Sequence, residues 1–397
     1  MDNWIEKNGW AGYDPYDVKG TGLYLWLQKK SGYSIAKGML WFTCKMEKKY
    51  PILTRRFYGV RKSVNAKAMG LFIRAYINLY ESTGEDSYKE KALECIDWLD
   101  KNISRGYSGK CWGYPFDWQS KIFISKYTPS AVVSCVVGDG YWAAYQVLGN
   151  RKYLDVCISI CNFLINDLNV DVQSEFKVCF SYTPIDDYHV HNANLFVAEF
   201  LIRIGTEIEN QEYIQLGKRA VNYSVGEQNP DGSIFYWGLV QEGVPKNHID
   251  HYHSGFEIRA LFNIFILTKD LKYRQSLEQY IEFYHKNLIS NDHNPLRPKM
   301  NPQELWPINV HTCAEAILCN ATLAGISPRS SEVLSKLCEW TIAKMQSPEG
   351  YFYYLRNRSE NDNDVIKIPY IRWGQAWMLL SLSQALKTTH AELHSVN

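Results

Sequence analysis

A tyrosine followed by an amphipathic helix recurs along this chain of 397 residues at a nearly constant interval. The tyrosines at 88, 153, 213 and 273 are 65, 60 and 60 residues apart, and a similar helix near Val333 begins 60 residues further on. A fixed period of this length means that one supersecondary unit is repeated. The sequence therefore predicts one large repetitive body rather than several unrelated domains.

Each repeat contains two helices of different character. The first is amphipathic, as in KEKALECIDWLDKNI, and the second is apolar on nearly all sides, as in AVVSCVVGDGYWAAYQVL. An amphipathic helix covers a core and an apolar one is enclosed by it, so the two sets predict an outer and an inner layer. The predicted outer helices lie near 34–48, 88–102, 153–166, 213–226, 273–287 and 331–345. The predicted inner helices lie near 66–81, 129–147, 190–206, 252–268, 310–325 and 370–386.

The connections between these helices are of two kinds. Long segments rich in aromatic and polar residues lead from each outer helix to the next inner one, whereas the return links are short, as in LGNRK. Long loops therefore gather at one rim. We predict an all-α fold, an (α/α)6 toroid of six helical hairpins over residues 34–390. Residues 1–33 are predicted to form an N-terminal segment with a plug helix, and residues 391–397 a disordered tail.

Composition excludes several classes of protein. The formal net charge is +1, so no overall field favours nucleic acid. No stretch of about 18 unbroken apolar residues predicts a membrane span. The first residues have neither the basic nor the apolar part of a signal peptide, and several of the ten cysteines lie on helical faces without paired loop spacing. We therefore expect a cytoplasmic protein.

Titratable side chains cluster just before the predicted inner helices. Six of the ten histidines lie there, at 189, 191, 248, 251, 253 and 311. If the inner helices begin at one rim, these side chains meet at a common mouth. The candidate catalytic residues are Asp117, Asp250, His253, Tyr252, His191 and Glu315.

The same segments are rich in aromatic side chains. The apolar C–H face of a pyranose stacks on Trp or Tyr, while its hydroxyls bind Asp, Asn, Gln, Arg or His. The candidate residues for binding a saccharide are Asp14, Asp17, Trp112, Tyr114, Trp118, Gln119, Asn192, Trp237, His251, Trp306, His311, Tyr370, Arg372, Trp373 and Gln375. Structural roles remain open: the tryptophans brace loops, GYDPYD forms an Asx turn, and a nearby acid compensates Arg372.

Histidines two residues apart, as at 251 and 253, point about 200° apart on a helix and chelate a metal poorly. We predict neither a metal nor another cofactor. Three reaction types remain open: hydrolysis by paired Asp or Glu residues, lyase chemistry with a Tyr or His base, and epimerisation by a His pair such as His253 and His311.

The segments WGYPFDWQ, DHYHSGF and RWGQAWM, together with the period, resemble the six-hairpin glycosidase-like toroids. They are most similar to uncharacterised members associated with bacterial polysaccharide biosynthesis. The resemblance implies a carbohydrate-active enzyme that processes an acidic oligosaccharide or a surface-polysaccharide precursor, with glycoside hydrolysis ranked first. The alternatives are a polysaccharide lyase, a uronate or sugar epimerase, and a non-catalytic glycan-binding or assembly protein. The resemblance implies nothing about the oligomeric state.

Overall fold

The computed structural model describes residues 1–244, 246–290, 295–359 and 364–395. The chain begins with four short helices, α1 (Asp2–Asn8), α2 (Gly22–Lys29), α3 (Ser34–Lys49) and α4 (Pro51–Phe57). From there inner and outer helices alternate in order: α5 (Ala66–Thr83), α6 (Asp86–Lys101), α7 (Ala131–Leu148), α8 (Arg151–Asn166), α9 (His191–Glu207), α10 (Gln211–Gly226), α11 (His251–Thr268), α12 (Leu271–Asn287), α13 (Val310–Leu323) and α14 (Pro328–Met345). A π-helix (Ile371–Ala376) leads into α15 (Trp377–Ser395).

The inner helices form a closed ring. Each packs against the next in the order α5, α7, α9, α11, α13, α15, and α15 returns to pack against α5. They approach closely: a Cβ atom added at Gly70 of α5 would lie 2.7 Å from the carbonyl oxygen of Val136 in α7. The closed ring confirms the toroid, and the starts of the inner helices fall within two residues of the predicted positions in every repeat when the π-helix is counted as the start of the sixth.

Outer helices bury a single stripe against this ring. In α6 the buried residues are Ala92, Cys95, Ile96 and Leu99, a spacing of three and four that marks one helical face. By contrast, every residue of α13 from Val310 to Ala321 is buried. Among the described helices, α6, α8, α10, α12 and α14 pack on the inner ring in this way.

The first predicted outer helix differs from the others. Helix α3 has its main contacts with α2 and α4 rather than with the inner helix α5. Its sequence is amphipathic, but only Ala36 and Thr43 are buried. Helix α2, predicted as a plug, contributes no residue to the lining of the central cavity described below. The three helices therefore form a peripheral unit beside the ring.

The connections from outer to inner helices carry short antiparallel strands, listed in chain order as β1 (Trp118–Gln119), β2 (Phe123–Ile124), β3 (Val170–Ser174), β4 (Lys177–Phe180), β5 (Ile308–Asn309), β6 (Leu355–Arg356) and β7 (Val365–Ile366). Strand β1 pairs with β2, β3 with β4, and β6 with both β5 and β7. All of them lie at the predicted long-loop rim.

The two ends of the ring are joined by backbone contacts. Tyr13 forms a parallel bridge with Tyr370, and Ile371 N–H donates to the Tyr13 carbonyl at 3.1 Å. Helix α15 covers residues 391–395 of the predicted tail, and residues 396–397 lie outside the described residues. Within the described parts of the chain, no helix has the length and apolar character that crossing a bilayer requires.

Candidate active site

A central cavity of about 180 Å³ lies where the inner helices begin. The second residue of each inner helix, or of the π-helix that precedes α15, lines it: Lys67, Val132, Asn192, Tyr252, His311 and Arg372. These residues are 65, 60, 60, 59 and 61 positions apart, so the sequence period and the cavity wall have the same origin. Because helix N-termini carry partial positive charge, their convergence favours a ligand that bears or develops negative charge.

Asp250 holds His253 at the cavity wall. Asp250 is the N-cap of α11 and accepts the backbone N–H of His253 at 3.0 Å, while its second carboxylate oxygen lies 2.6 Å from His253 Nδ1. Burial alone would raise the pKa of Asp250, but His253 and His248 outweigh it and lower that pKa. Asp250 is therefore ionised, and His253 keeps Nε2 for a ligand in the cavity.

His311 is buried among aromatic rings. It stacks on Tyr252 at 4.8 Å between ring centroids and on Trp377 at 5.1 Å. Neither ring nitrogen has a hydrogen-bond partner among the described residues. Burial, followed by the nearby charges of Lys67 and Arg372, lowers the pKa of His311 well below its usual value. His311 is therefore a neutral imidazole in the cavity wall, with both ring nitrogens buried and without a partner among the described residues.

Arg372 is fixed by an acid from the opposite end of the chain. Its Nε and Nη2 atoms donate to the two carboxylate oxygens of Asp14 at 2.6 and 2.8 Å. The guanidinium lies 5.0 Å from the ring centroid of Tyr114 and 5.2 Å from that of Trp373. Both partners of this pair are almost fully buried, so the pair places a rigid cation in the cavity wall.

Lys67 is a functional candidate that sequence reasoning missed. It is buried, lines the cavity, and has its ammonium group 5.6 Å from the ring centroid of Phe256. Burial, followed by repulsion from Arg372, lowers the pKa of Lys67 to about 7. The signal was available in the period: Lys67 lies one repeat before Val132 and is the lone charged residue at the start of an apolar helix.

Replacing Lys67 with Met is expected to stabilise the protein most at low pH. The folded pKa of about 7 lies below the ordinary lysine value of about 10.4, so wild type buries a charge below pH ~7 and regains stability as the pH rises between these values. The stability gained by Lys67→Met should therefore be largest near pH ~6 and shrink toward pH ~9 in urea titrations. The exposed Lys286 is the control. A Lys67→Met gain that is the same at both pH values would contradict the lowered pKa.

Aromatic side chains form the rest of the wall. Tyr114 stacks on Phe116 with centroids 5.4 Å apart, and Trp237 packs edge-on against Tyr188 at 5.7 Å. The predicted site residues that line the cavity are Tyr114, Trp118, Asn192, Trp237, Tyr252, His253, His311, Arg372 and Trp373. Asp14 and Asp250 lie directly behind them. Tyr16, Tyr182 and Tyr236 also line the cavity and were not predicted, because their loop positions carry no periodic signal.

Besides Asp14 and Asp250, ten predicted site residues lie outside this lining. They are Asp17, Trp112, Asp117, Gln119, His191, His251, Trp306, Glu315, Tyr370 and Gln375. Two of the predicted catalytic groups are bound elsewhere. Glu315 accepts two hydrogen bonds from Arg259, at 2.6 and 3.0 Å. His191 contacts the Ser224 hydroxyl at 3.1 Å and Glu227 at 3.0 Å, so its ring faces α10 rather than the cavity.

Other predicted charged or imidazole groups stabilise loops. Asp117 accepts the backbone N–H of Lys126 at 2.6 Å, at the open end of the β1–β2 hairpin. Asp17 pairs with the buried Arg55 at 2.8 Å. His251 contacts two backbone carbonyls, at 2.9 and 3.1 Å, and a tyrosine hydroxyl at 2.6 Å. The polar partners named here are protein groups that do not line the cavity.

The remaining five have packing or bracing contacts. Trp112 is buried and donates its indole N–H to a backbone carbonyl at 3.1 Å. The Gln119 and Gln375 amides hydrogen-bond backbone groups. Trp306 lies under the guanidinium of Arg297 at 5.9 Å, and Tyr370 packs edge-on against a second tyrosine. These contacts are the bracing roles that the sequence left open.

One group in the described chain has donor atoms close enough to hold a metal ion. The ligand atoms of His248, Asp250 and His253 lie within 4.8 Å of one another. In the protein, His253 Nδ1 and His248 Nε2 lie 2.6 and 3.5 Å from the same Asp250 oxygen. His253 Nδ1 either shares a proton with Asp250 or binds a metal, so the two arrangements exclude each other.

No protein-family model and no curated protein sequence matches this chain. Solved structures match its fold. A D-mannose isomerase aligns over 82% of this chain and 87% of its own, with a TM-score of 0.62 and 15% identity. Cellobiose 2-epimerase from Bacillus thermoamylovorans aligns over 82% and 90%, with a TM-score of 0.60 and 11% identity. A GH76 α-mannanase from Bacteroides thetaiotaomicron aligns over 84% and 88%, with a TM-score of 0.61 and 11% identity. The chain therefore shares the (α/α)6 toroid fold of these structures.

Proposed function

We propose that this protein is a carbohydrate-active enzyme that moves a proton beside a sugar carbonyl, as an epimerase or isomerase does. One observation carries the proposal: His253 and His311 both contact the ring of Tyr252, at 4.5 and 4.8 Å between centroids, and both line the cavity. Among the described residues of the lining, none is Asp or Glu. The available acid–base groups are the two imidazoles and the amine of Lys67.

Glycoside hydrolysis, ranked first by sequence, needs two carboxyl groups beside the scissile bond. The two acids nearest the cavity are both engaged, because Asp14 is held by Arg372 and Asp250 by His253. Releasing either would leave a buried cation or imidazole without its partner. This arrangement supports proton transfer over hydrolysis.

His253 acts as the base in the proposed reaction. Its Nε2 removes the proton from C2 of an open-chain aldose, the C–H electron pair forms the C1=C2 double bond, and His311 donates its N–H proton to O1. The product of this step is a neutral enediol, and Asp250 stabilises the imidazolium of His253. A neutral imidazole suits the task of His311, because it gives and takes back a proton without binding one permanently.

The second half-reaction sets the product. If His253 returns its proton to C1 while O2–H passes its proton to His311, an aldose becomes a ketose. If the enediol first rotates so that its other face meets His253, the proton returns to that face of C2, O1–H restores the proton of His311, and the product is the C2 epimer. Arg372 and Lys67 line the same cavity, and their positive charge would stabilise negative charge that develops on oxygen in either transition state.

The cavity wall supports a saccharide substrate. Tyr114, Trp118, Trp237 and Trp373 offer stacking faces, and Asn192 offers an amide to hydroxyls. The names of two of the similar structures, a D-mannose isomerase and a cellobiose 2-epimerase, denote activities of this kind. The two cations also suit an acidic saccharide from bacterial polysaccharide metabolism in the cytoplasm, the substrate that the sequence resemblance implies.

A uronate lyase is the second candidate, favoured by the fixed cation Arg372, which suits a carboxylate. A lyase would need a base, and Tyr252 is unsuited because burial raises its pKa well above the usual value. His253 would have to serve there as well.

The test is incubation in D₂O with glucose, mannose, fructose, cellobiose and glucuronate, followed by proton NMR. The expected result is deuterium at C1 or C2 of one sugar together with its isomer or epimer. New ultraviolet absorbance from a C=C bond would instead identify a lyase, and release of a new reducing end from an oligosaccharide would identify a hydrolase. Saturable binding without any turnover would overturn the enzymatic proposal in favour of a glycan-binding protein.

A further inference from the structure

Helices α2, α3 and α4, residues 22–57, form a unit that the central cavity does not use. We call it the basic helical unit. The main contacts of α3 are with α2 and α4, and none of the three helices contributes to the cavity lining. A 16-residue amphipathic helix without a core to cover needs another explanation for its apolar side chains.

The basic helical unit exposes large apolar side chains to an unusual extent. Ile35 is 81% exposed, Phe57 72% and Trp41 63%. The other exposed apolar side chains of the unit are Leu23, Trp26, Tyr33, Met39, Phe42, Tyr50, Ile52 and Leu53. Together they are nearly half of the exposed large hydrophobic side chains of the described chain, on 36 of its residues. Contiguous exposure of this kind marks a contact surface.

The basic helical unit also carries a high net positive charge. It has eight Lys and Arg residues and a single acid, Glu47, a net charge of +7 in a chain whose total is +1. Seven of the eight are exposed: Lys29, Lys30, Lys37, Lys45, Lys48, Lys49 and Arg56. None of these seven is ion-paired with a described acid.

Apolar and basic residues follow separate stripes along α3. Ile35, Met39 and Phe42 recur at spacings of four and three, which places them on one face. Lys37, Lys45 and Lys48 lie on a different face, about 90° to 170° around the helix, and Trp41 lies among them, with its ring centroid 5.5 Å from Lys45 Nζ. An exposed apolar face combined with a face of lysines and tryptophan is the pattern of a helix that lies in a membrane interface.

We propose that the basic helical unit binds the surface of an anionic lipid bilayer, with its apolar side chains in the boundary between headgroups and acyl chains. The positive charge of the unit, together with its exposed apolar side chains, favours anionic lipid over a second copy of the chain or nucleic acid. In a two-fold dimer through this face a net charge of +7 would oppose an identical +7. Nucleic acid would use the lysines, but it would leave Ile35, Phe42 and Phe57 in water. Anionic lipid satisfies both features.

Docking by this unit would hold the cavity near the membrane. Tyr16 lines the cavity, and α2 begins six residues later at Gly22, a span of at most about 20 Å. A saccharide carried on or near a lipid headgroup would therefore lie within reach of the site.

The test is flotation of the full chain with lipid vesicles. We expect it to float with vesicles of equal parts phosphatidylglycerol and phosphatidylcholine and not with phosphatidylcholine alone, and to lose binding as salt is raised. The triple change Lys37→Glu, Lys45→Glu and Lys48→Glu should lower the partition coefficient about a hundredfold, since each surface lysine contributes about fivefold. Lys286→Glu on α12, also exposed, is the matched control and should change binding less than about twofold.

Insertion is tested separately from adsorption. Ile35→Ser with Phe42→Ser should lower vesicle binding at least about tenfold, whereas Phe176→Ser, at the exposed β3–β4 turn, should not. Acyl-chain-brominated lipid should quench tryptophan fluorescence, and Trp41→Phe should remove part of that quenching. The proposal is overturned if brominated lipid quenches nothing, if the serine pair binds like wild type, or if the Phe42→Ser change instead dissolves a dimer seen by sedimentation without lipid.

Discussion

Replacing His253 with Asn is expected to lower kcat by about 10²- to 10⁴-fold and to abolish deuterium exchange into the sugar. The proposed base is its Nε2 atom, which an Asn side chain does not provide. Its orientation depends on Asp250, which holds Nδ1 at 2.6 Å and caps α11 through the backbone of the same residue. The proposed proton transfer therefore depends on the short contact between Asp250 and His253 Nδ1.

The measurements are kcat and the rate of deuterium incorporation by NMR, with binding of the sugar followed separately. His248→Asn is the matched control, because His248 also contacts Asp250, at 3.5 Å, but is half exposed and outside the cavity lining. That variant should lose less than about tenfold in kcat, as expected for a solvent-screened contact. If His253→Asn kept exchange within about tenfold of wild type, the base would have to lie elsewhere.

Replacing Arg372 with Met is expected to lower the free energy of unfolding by about 3–5 kcal/mol and to eliminate turnover. The change leaves the carboxylate of Asp14 buried without its two charge-assisted hydrogen bonds. Urea titration measures the loss of stability, and the exchange assay measures the loss of activity.

A second variant separates the two effects. Asp14→Asn combined with Arg372→Met removes the unpaired charge, so the double variant should recover part of the lost stability but none of the activity. Arg259→Met breaks a second buried bidentate pair, with Glu315, away from the cavity lining. It should lose similar stability while keeping some exchange in its folded fraction. Recovery of full activity in the Asp14→Asn, Arg372→Met double variant would show that the cation has no part in the reaction.

The fold could be predicted from the sequence because the repeat is regular. A period near 60 residues and the contrast between amphipathic and apolar helices place each inner helix, and the same period aligns Asn192, Tyr252, His311 and Arg372 at the cavity. Prediction from the sequence fails where one local pattern is compatible with two positions in the fold. Helix α3 is amphipathic like an outer helix, but its apolar side chains are exposed and its main contacts are with α2 and α4.

Individual site roles depend on partners distant in the sequence. Glu315 looks like a catalytic acid beside His311, but its partner Arg259 lies 56 residues earlier on a neighbouring helix. His191 and His253 both begin inner helices, yet one faces α10 and the other the cavity. His191 is the first residue of α9 and His253 the third of α11, and this difference of two positions turns a side chain by about 200°, which composition does not record.

The pairing of Asp14 with Arg372 joins residues 358 positions apart, beside the bridge between Tyr13 and Tyr370. The cavity is therefore complete only when the first and last segments of the ring have packed together. A nascent chain that has folded five repeats still has no functional site, because the first and last segments have not met. Clipping the first twenty residues would then silence the protein while most of its helices stayed intact. Activity in this architecture therefore requires that the last segment of the chain has packed against the first.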